Sequence, residues 1–149
     1  MNAAVIVAAG RGSRMGLGRN KVLADVAGVP VIVRTVRALA QTALFDGGIV
    51  VVTGAEDMEQ MRALMAEHGL DVTLTEGGTD RQQSVHHGLQ AVNPAADIIA
   101  IHDGARPLVT RAVIERTIES AKRCGSGWRC LRSFWPCAAR RSWIPTACG

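Results

Sequence analysis

Residues 5–21 read VIVAAGRGSRMGLGRNK, a short apolar run followed by a glycine-rich and basic stretch. Val5–Ala8 has the continuous hydrophobicity of a strand that is covered on both faces. Four glycines and four basic residues follow, from Gly10 to Lys21. Glycine lets backbone amides approach phosphate oxygens, and Arg14 and Lys21 add positive charge. The stretch predicts a polyphosphate-binding loop directly after a buried strand. The alternative is a flexible surface loop.

Two common phosphate-binding motifs do not fit this loop. The Walker A pattern is absent. A dinucleotide fingerprint that starts with Gly10 and Gly12 needs a third glycine or alanine where Met15 stands.

Strand-like and helix-like segments alternate from the first residues to about residue 121. The predicted strands cover residues 5–8, 49–52, 72–75 and 98–101. The predicted helices start at Pro30, at the capping boxes Thr53–Glu56 and Thr79–Gln82, and near Thr110. This alternation predicts a mainly parallel α/β sheet with helices on both faces. Ligands of such sheets bind beyond the carboxyl ends of the strands, so the loops that follow the strands are the candidate site.

The second predicted helix carries a glycine stop and a sulfur-rich face. Gly69 after His68 predicts a left-handed cap. Met58, Met61 and Met65 recur at helical spacing, which predicts core packing rather than a metal or cofactor site.

The loop after the third predicted strand reads GGTDRQQSV, residues 77–85. Gly78 allows a close backbone approach to a ligand, and Arg81 and Ser84 lie in the first turn of a helix, whose N-terminus attracts negative or polar groups. His86 and His87 follow. Adjacent helical residues face different ways, so we interpret these two histidines as surface or packing residues.

The loop after the fourth predicted strand reads HDGARP, residues 102–107. Asp103 is a candidate Mg²⁺ ligand, and Arg106 could hold a phosphate. The alternative for Asp103 is a carboxylate that caps its own turn. We interpret His102 as a structural residue at the strand end. The predicted convergence of three phosphate-friendly loops at one edge favours a binding site.

These motifs, in this order and spacing, resemble one enzyme family. They are A-A-G-x-G-x-R-M at 8–15, Lys21, G-x-P-V at 28–31, G-G-x-x-R-x-x-S-V-x-x-G-L at 77–89, and HDGARP. The pattern resembles 2-C-methyl-D-erythritol 4-phosphate cytidylyltransferases. The resemblance implies an α/β, Rossmann-like, mainly parallel sheet flanked by helices, the nucleotide-diphospho-sugar transferase fold. It implies transfer of CMP from CTP to the polyol phosphate with release of pyrophosphate, in the non-mevalonate synthesis of isoprenoid precursors.

The resemblance also implies roles for individual residues. Those near the nucleoside are Ala8, Ala9 and Gly10. Those that hold the triphosphate are Gly12 and the catalytic pair Arg14 and Lys21. Cytosine is read by Gly78 and Ser84, with Arg81 supporting their loop. Asp103 binds Mg²⁺, and Arg106 lies toward the methylerythritol phosphate. One position departs from the family, because Asn20 stands where proline is usual, and this is expected to loosen the loop.

The partners implied by the resemblance are CTP, a polyol phosphate and a second copy of the chain in a homodimer. Two alternatives stay open at this point. One is a cytidylyltransferase for another polyol phosphate, such as ribitol 5-phosphate. The other is a non-catalytic nucleotide-binding remnant.

Charge is distributed unevenly along the 149 residues. Residues 1–121 carry 11 Lys and Arg against 13 Asp and Glu, whereas residues 122–149 carry six Lys and Arg and no acidic residue. The isoelectric point of about 9.3 therefore does not indicate nucleic-acid binding by the main body. No stretch approaches the ~20 apolar residues of a membrane span, and we expect a cytoplasmic protein.

The composition changes sharply in the last 28 residues. They contain every cysteine (Cys124, Cys130, Cys137, Cys148) and every tryptophan (Trp128, Trp135, Trp143) of the chain. We predict an incomplete nucleotide-binding domain over 1–121 and a tail over 122–149 that is not a domain. The tail resembles a GC-rich gene read out of frame; a zinc site, or a membrane- or nucleic-acid-binding tail, is the alternative. We expect this truncated chain to have impaired turnover and doubtful dimerisation, and its tryptophans to be exposed.

Overall fold

A five-stranded sheet forms the centre of the computed structural model, which describes residues 1–10, 20–124 and 137–139. In chain order the strands are β1 (Asn2–Val7), β2 (Asp25–Val26), β3 (Val29–Pro30), β4 (Ile49–Thr53), β5 (Thr73–Glu76), β6 (Ile98–Asp103) and β7 (Cys137–Ala139). The sheet order is β5-β4-β1-β6-β7. Neighbouring strands pair in parallel except β6 and β7, which are antiparallel. β2 and β3 form a separate antiparallel hairpin.

Four α-helices cover the two faces of this sheet. They are α1 (Val31–Ala40), α2 (Met58–Glu67), α3 (Arg81–Gln90) and α4 (Arg111–Cys124). α1, α2 and α4 contribute buried side chains to one hydrophobic cluster, and α3 packs against a second cluster on the opposite face. The predicted mainly parallel α/β sheet with helices on both faces is confirmed. Within the described residues, no helix has both the length and the apolar character needed to cross a bilayer.

Strand β1 explains why two clusters exist. Ala4 and Ile6 belong to the cluster of α1, α2 and α4, whereas Val5 and Val7 belong to the cluster of α3. Successive strand side chains point to opposite faces, so a strand that is apolar at every position must be covered on both sides. Burial of these side chains on both faces places β1 at the centre of the sheet.

The order of the strands creates a switch point beside β1. The chain proceeds from β1 through β4 to β5 on one side, and then returns to add β6 on the other side of β1. Open α/β sheets bind ligands in the crevice at such a point, outside the carboxyl ends of the strands. Residues 8–10, which follow β1, and the loop after β6 start on the two sides of this crevice.

Helix α3 approaches the sheet unusually closely. A Cβ added at Gly88 would lie 2.4 Å from Val5 Cγ1 and 2.8 Å from Val52 Cγ2. Glycine is therefore required where α3 crosses β1 and β4. This close approach fixes the position of the N-terminus of α3 relative to the ends of the strands.

Both predicted capping boxes are wrong in detail. Thr53 is the last residue of β4 and is fully buried, and α2 begins later, at Met58, after a 3-10 turn. The strand pairing extends to Thr53 and leaves it no part in a helix cap. At α3 the cap is Asp80, whose carboxylate accepts from the amide of Gln83 at 2.8 Å, so the box lies one residue later than predicted.

Two further predictions concern the start of α1 and the end of α2. Pro30 pairs in β3, and α1 starts at Val31, so proline precedes the helix instead of opening it. The glycine cap after α2 is confirmed: Gly69 has φ +61°, and the amide of Leu70 donates to the carbonyl of Met65 at 2.9 Å. The predicted core position of the methionines is confirmed for Met61 and Met65, which are buried.

Part of the predicted tail belongs to the sheet. α4 continues to Cys124, and β7 pairs with β6 through the register Ile99↔Ala139 and Ile101↔Cys137. The sequence pattern had not indicated a strand there. The three tryptophans lie outside the described residues, and the division of the chain at residue 121 stays a prediction.

Candidate functional site

The loops that follow the strands meet at one edge of the sheet. The amide of Gly104 donates to the carbonyl of Val7 at 2.9 Å, which joins the loop after β6 to the end of β1. The amide of Gly77 donates to the carbonyl of Thr53 at 2.8 Å, which joins the loop after β5 to the end of β4. Val7 also pairs with Asp103 in the sheet register. The structure therefore brings together the described parts of the three loops identified from the sequence.

The loop after β1 leaves the sheet through Ala8, Ala9 and Gly10. Ala8 is buried and its amide donates to the carbonyl of Val52 at 2.7 Å, Ala9 is half-buried, and Gly10 is exposed. Gly12 and Arg14 lie outside the described residues, so their predicted roles stay predictions. Ala9 and Gly10 thus keep accessible surface at the switch point, whereas the amide and the carbonyl of Ala8 are already bonded to Val52 and to Asn20.

Asn20 fixes the point at which this loop returns to the sheet. Its side chain is buried, and Nδ2 donates to the carbonyl of Ala8 at 2.7 Å and to Oδ2 of Asp57 at 2.9 Å. Its Oδ1 accepts from the amide of Val22 at 3.4 Å. The amide side chain thus ties residue 20 to β1 and to the start of α2, whereas the expected loosening of the loop concerns residues 11–19, outside the described residues, and stays a prediction.

Lys21 follows directly and begins a 3-10 helix, Lys21–Leu23, whose N-cap is Asn20. The next residue, Val22, is buried in the core beneath α1. Lys21 itself is exposed. The backbone of this lysine is therefore held on both sides, while its ammonium group is accessible to an anion.

The loop after β5 is built around Ser84. Its hydroxyl accepts from the amide of Gly78 at 3.1 Å and donates to the carbonyl of Asp80 at 2.8 Å, and the residue is 3% exposed. A Cβ added at Gly77 would lie 2.5 Å from the Cβ of Ala9 and 2.9 Å from the Oγ of Ser84. This loop therefore packs directly against the loop after β1. Gly78 and Ser84 occur together, as predicted from the sequence.

Arg81 and the two histidines occupy the start and middle of α3. Arg81 is the first residue of the helix and is exposed. His86 is exposed, and the Nδ1 of His87 lies 2.9 Å from the carbonyl oxygen of Glu76. His87 thus has a packing contact at the end of β5, as its interpretation from the sequence proposed.

Asp103 takes the turn-capping role that was its alternative from the sequence, and its role as a Mg²⁺ ligand stays a prediction. Its Oδ1 accepts from the amide of Ala105 at 3.0 Å, which caps the turn after β6. Its Oδ2 lies 3.8 Å from the Nε of Arg106, and the carboxylate keeps 28% of its side-chain surface exposed. Asp103 therefore closes its own turn and still has an oxygen accessible at the crevice.

The acidic residues at this edge suit a metal ion that is bound jointly by the protein and by a ligand. The described residues contain no cluster of three or more His, Cys, Asp or Glu side chains that could enclose a metal. Mg²⁺ is typically held by one or two carboxylates and completed by phosphate oxygens and water. A single accessible carboxylate at Asp103 fits a cation that arrives with a phosphate-bearing ligand.

His102, just before Asp103, is buried in a way that disfavours its charged form. Burial lowers the pKa of its imidazole below the ordinary value of 6.5. Its Nδ1 is buried and makes no hydrogen bond within the described part of the chain. These properties agree with a neutral structural residue at the end of β6.

Three residues of this edge were not identified from the sequence. Asp57 binds Asn20, and Thr35 donates its hydroxyl to the carbonyl of Gly104 at 2.8 Å. A Cβ added at Gly104 would lie 3.1 Å from Ala8 Cβ and from Val7 O. The glycine of the HDGARP motif was a signal for this close approach, whereas Asp57 and Thr35 carry no motif.

The family model for 2-C-methyl-D-erythritol 4-phosphate cytidylyltransferase (IspD) matches residues 2–129. The enzyme of that name from Clostridium acetobutylicum is 39% identical over 127 residues, which are 84% of this chain and 55% of that protein. The chain belongs to the 2-C-methyl-D-erythritol 4-phosphate cytidylyltransferase family. It spans about half the length of the curated relatives it matches.

Solved structures of similar proteins share the fold. The 4-diphosphocytidyl-2C-methyl-D-erythritol synthase of Anaerococcus prevotii has a TM-score of 0.73 at 22% identity and covers 85% of this chain and 53% of its own. Rv0371c of Mycobacterium tuberculosis, solved as a complex with manganese, has a TM-score of 0.63 at 27% identity and covers 84% and 61%. Manganese is a divalent metal, and its presence is a property of that protein.

Proposed function

We propose that this member of the cytidylyltransferase family binds CTP at the carboxyl edge of β1 and β6. We propose that it takes part in transfer of CMP to 2-C-methyl-D-erythritol 4-phosphate. The observation that carries the proposal is the meeting of three motif-bearing loops at the switch point, in a chain whose family match spans residues 2–129. Backbone amides, an exposed lysine and an accessible carboxylate there suit a metal-bound triphosphate.

The reaction needs alignment and charge neutralisation more than a protein nucleophile. A phosphate oxygen of the polyol substrate attacks the α-phosphorus of CTP in line. The bond from that phosphorus to the oxygen of the leaving pyrophosphate breaks, and pyrophosphate departs with the electron pair. Lys21 and Arg14 would offset the charge on the triphosphate and on the leaving group. Loss of one such contact is expected to lower the rate by about 10²–10³.

The loop after β5 would distinguish the base. Gly78 presents its backbone at this loop, and the buried hydroxyl of Ser84 holds the Gly78 amide in position. Arg81 would support the loop from the first turn of α3. The nucleoside would contact the backbone of Ala8, Ala9 and Gly10. The packing of Gly77 against Ala9 makes these two sets of contacts parts of one surface.

Asp103 and Arg106 would serve the second substrate and the cation. Mg²⁺, held by Asp103 and by triphosphate oxygens, would neutralise part of the phosphate charge when bound. Arg106, 48% exposed, would turn toward the phosphate of the polyol. Its Nε lies 3.8 Å from Oδ2 of Asp103, which is longer than a hydrogen bond.

Calorimetric titration with each of the four ribonucleoside triphosphates and Mg²⁺ tests the nucleotide site. We expect CTP to bind most tightly; equal affinities would leave only generic polyphosphate binding. Pyrophosphate release in the presence of methylerythritol phosphate or ribitol 5-phosphate then tests the second substrate. Release with ribitol 5-phosphate alone would overturn the proposed acceptor. Selective CTP binding without release from either acceptor would support a non-catalytic nucleotide-binding protein. Sedimentation of the same samples tests the predicted homodimer.

A further inference from the structure

The contact between Asn20 and Asp57 joins two segments at the site edge that are far apart in the sequence. Residue 20 lies just before the lysine of the first loop, and Asp57 lies at the N-cap of α2, 37 residues later. Asp57 makes no capping hydrogen bond to its own helix. Its carboxylate accepts the Nδ2 of Asn20 at 2.9 Å. The side chain of Asp57 is thus used to hold the first loop.

Both hydrogens of the Asn20 amide are used. Besides Asp57, Nδ2 donates to the carbonyl of Ala8 at 2.7 Å, and Oδ1 accepts from the amide of Val22. A primary amide offers two donors and one acceptor oxygen, and each of these three functions has a partner. Because Asn20 is only 8% exposed, water competes little for its hydrogen-bonding groups. The side chain therefore fixes residue 20 in a single orientation.

These bonds restrict the backbone of the next residue, Lys21. Its preceding residue is tied to β1 and α2, its following residue is buried in the core, and its own carbonyl accepts from the amide of Ala24 at 3.2 Å. The backbone of Lys21 therefore has little freedom, whereas its long side chain is exposed. A cation on a fixed backbone loses less entropy when it binds an anion than one on a loose loop.

We infer that Asn20 and Asp57 form a positioning pair that orders Lys21 for the phosphate groups of the nucleotide. This inference rests on the proposed function. The negative charge of Asp57 repels an anion at this edge. Its hydrogen bond with the Asn20 amide offsets that repulsion, because the bond orders Lys21. Neither residue touches the nucleotide; both act through the position of Lys21.

The test measures the affinity of the 149-residue chain for CTP and for tripolyphosphate, with Mg²⁺ present. We expect Asn20→Ala to weaken both by about tenfold, which corresponds to about 1.4 kcal/mol. Asp57→Ala should act in the same direction, and Asp57→Asn should retain affinity, because its amide oxygen still accepts from Asn20. The matched control is Asp71→Ala, which removes an exposed carboxylate just before β5, at the opposite end of the strands. It should change neither affinity.

A double-mutant cycle separates positioning from general damage to the fold. In a Lys21→Ala background, Asn20→Ala should cause no further loss of affinity if it acts through the lysine. An undiminished loss in that background, or a failure of Asp57→Asn to retain affinity while melting normally, would overturn the inference. Tripolyphosphate binding that responds as expected, without any preference for CTP, would overturn the proposed function and leave the positioning pair supported. No binding of either anion by the unsubstituted chain would overturn both.

Discussion

Replacing Gly77 with alanine would force apart the two loops that pack around it. The added Cβ would lie 2.5 Å from the Cβ of Ala9 and 2.9 Å from the Oγ of Ser84, whereas ordinary contact begins at 3.4 Å. Ala9 would have to move by about 0.9 Å. Residue 77 cannot retreat easily, because its amide is bonded to the carbonyl of Thr53 at 2.8 Å at the end of β4.

The expected cost is that of overpacking a tight interior contact, about 1–3 kcal/mol. For a chain of this size, each kcal/mol lowers the melting temperature by about 2–4 °C. The same displacement would separate the backbone at Ala9 from the loop that holds Gly78. We therefore expect the affinity for CTP to fall by about tenfold, with a smaller loss for tripolyphosphate, which makes no base contact.

Urea unfolding and calorimetric titration would measure the two effects. Gly54→Ala is the matched control, since the three atoms nearest its added Cβ all belong to the Glu56 side chain, at 3.3 Å or more, and Gly54 has φ −68°. That control should leave stability and affinity almost unchanged. If Gly77→Ala binds CTP as tightly as the unsubstituted chain and unfolds at the same urea concentration, the packing of the two loops does not shape the nucleotide site.

Three further substitutions test individual contacts. Ser84→Ala should weaken the preference for CTP over UTP, because the amide of Gly78 loses its acceptor; an unchanged ratio of dissociation constants would refute this. Asp103→Asn should keep the turn, since an amide oxygen can still accept from Ala105, but reduce the Mg²⁺ dependence of CTP binding, as calorimetry at several Mg²⁺ concentrations would show. Burial lowers the pKa of His102, so the unfolded chain takes up a proton more readily, and stability is lost as pH falls below about 6.5. His102→Gln should reduce that loss, and identical urea midpoints against pH would contradict it.

The hydrophobic runs predicted where strands occur better than where they end. Residues 98–101 were predicted as a strand, yet pairing with β1 continues through His102 and Asp103. At β4 the pairing likewise continues to Thr53, which displaced the predicted cap. An apolar pattern reports burial, whereas the ladder of hydrogen bonds also includes polar residues at the strand end. These residues are the ones that reach the site.

The residues of the candidate site could be predicted where they belong to a local sequence motif. Gly78, Ser84 and Asp103 were found from their local patterns, and the structure brings their loops to one edge. Asp57 was not found, because its partner lies 37 residues away and no spacing rule links them. The bonds of Asn20 were not found for the same reason, since the sequence shows that proline is replaced but not which groups the amide side chain binds.

The tail illustrates a different limit. β7 comprises only three residues and has no alternation to distinguish it from its surroundings. It pairs with β6 on the side of that strand opposite β1. The predicted cytoplasmic location and homodimer likewise depend on properties that no local pattern of this chain encodes, and both stay predictions.

The central position of β1 also has a consequence for how the chain is made. β1 is synthesised before its partner β6, which follows almost a hundred residues later, as the register Asn2↔Ile98 shows. Ribosomes add roughly 5–20 residues per second. The edge of β1 that later pairs with β6 therefore stays unpaired for about 5–20 s, until β6 has been synthesised. Contacts of such long sequence separation also form slowly. The crevice between β1 and β6 can therefore form only after β4 and β5 have been synthesised, and β1 depends on early pairing with β4, or on chaperones, to avoid aggregation in the meantime.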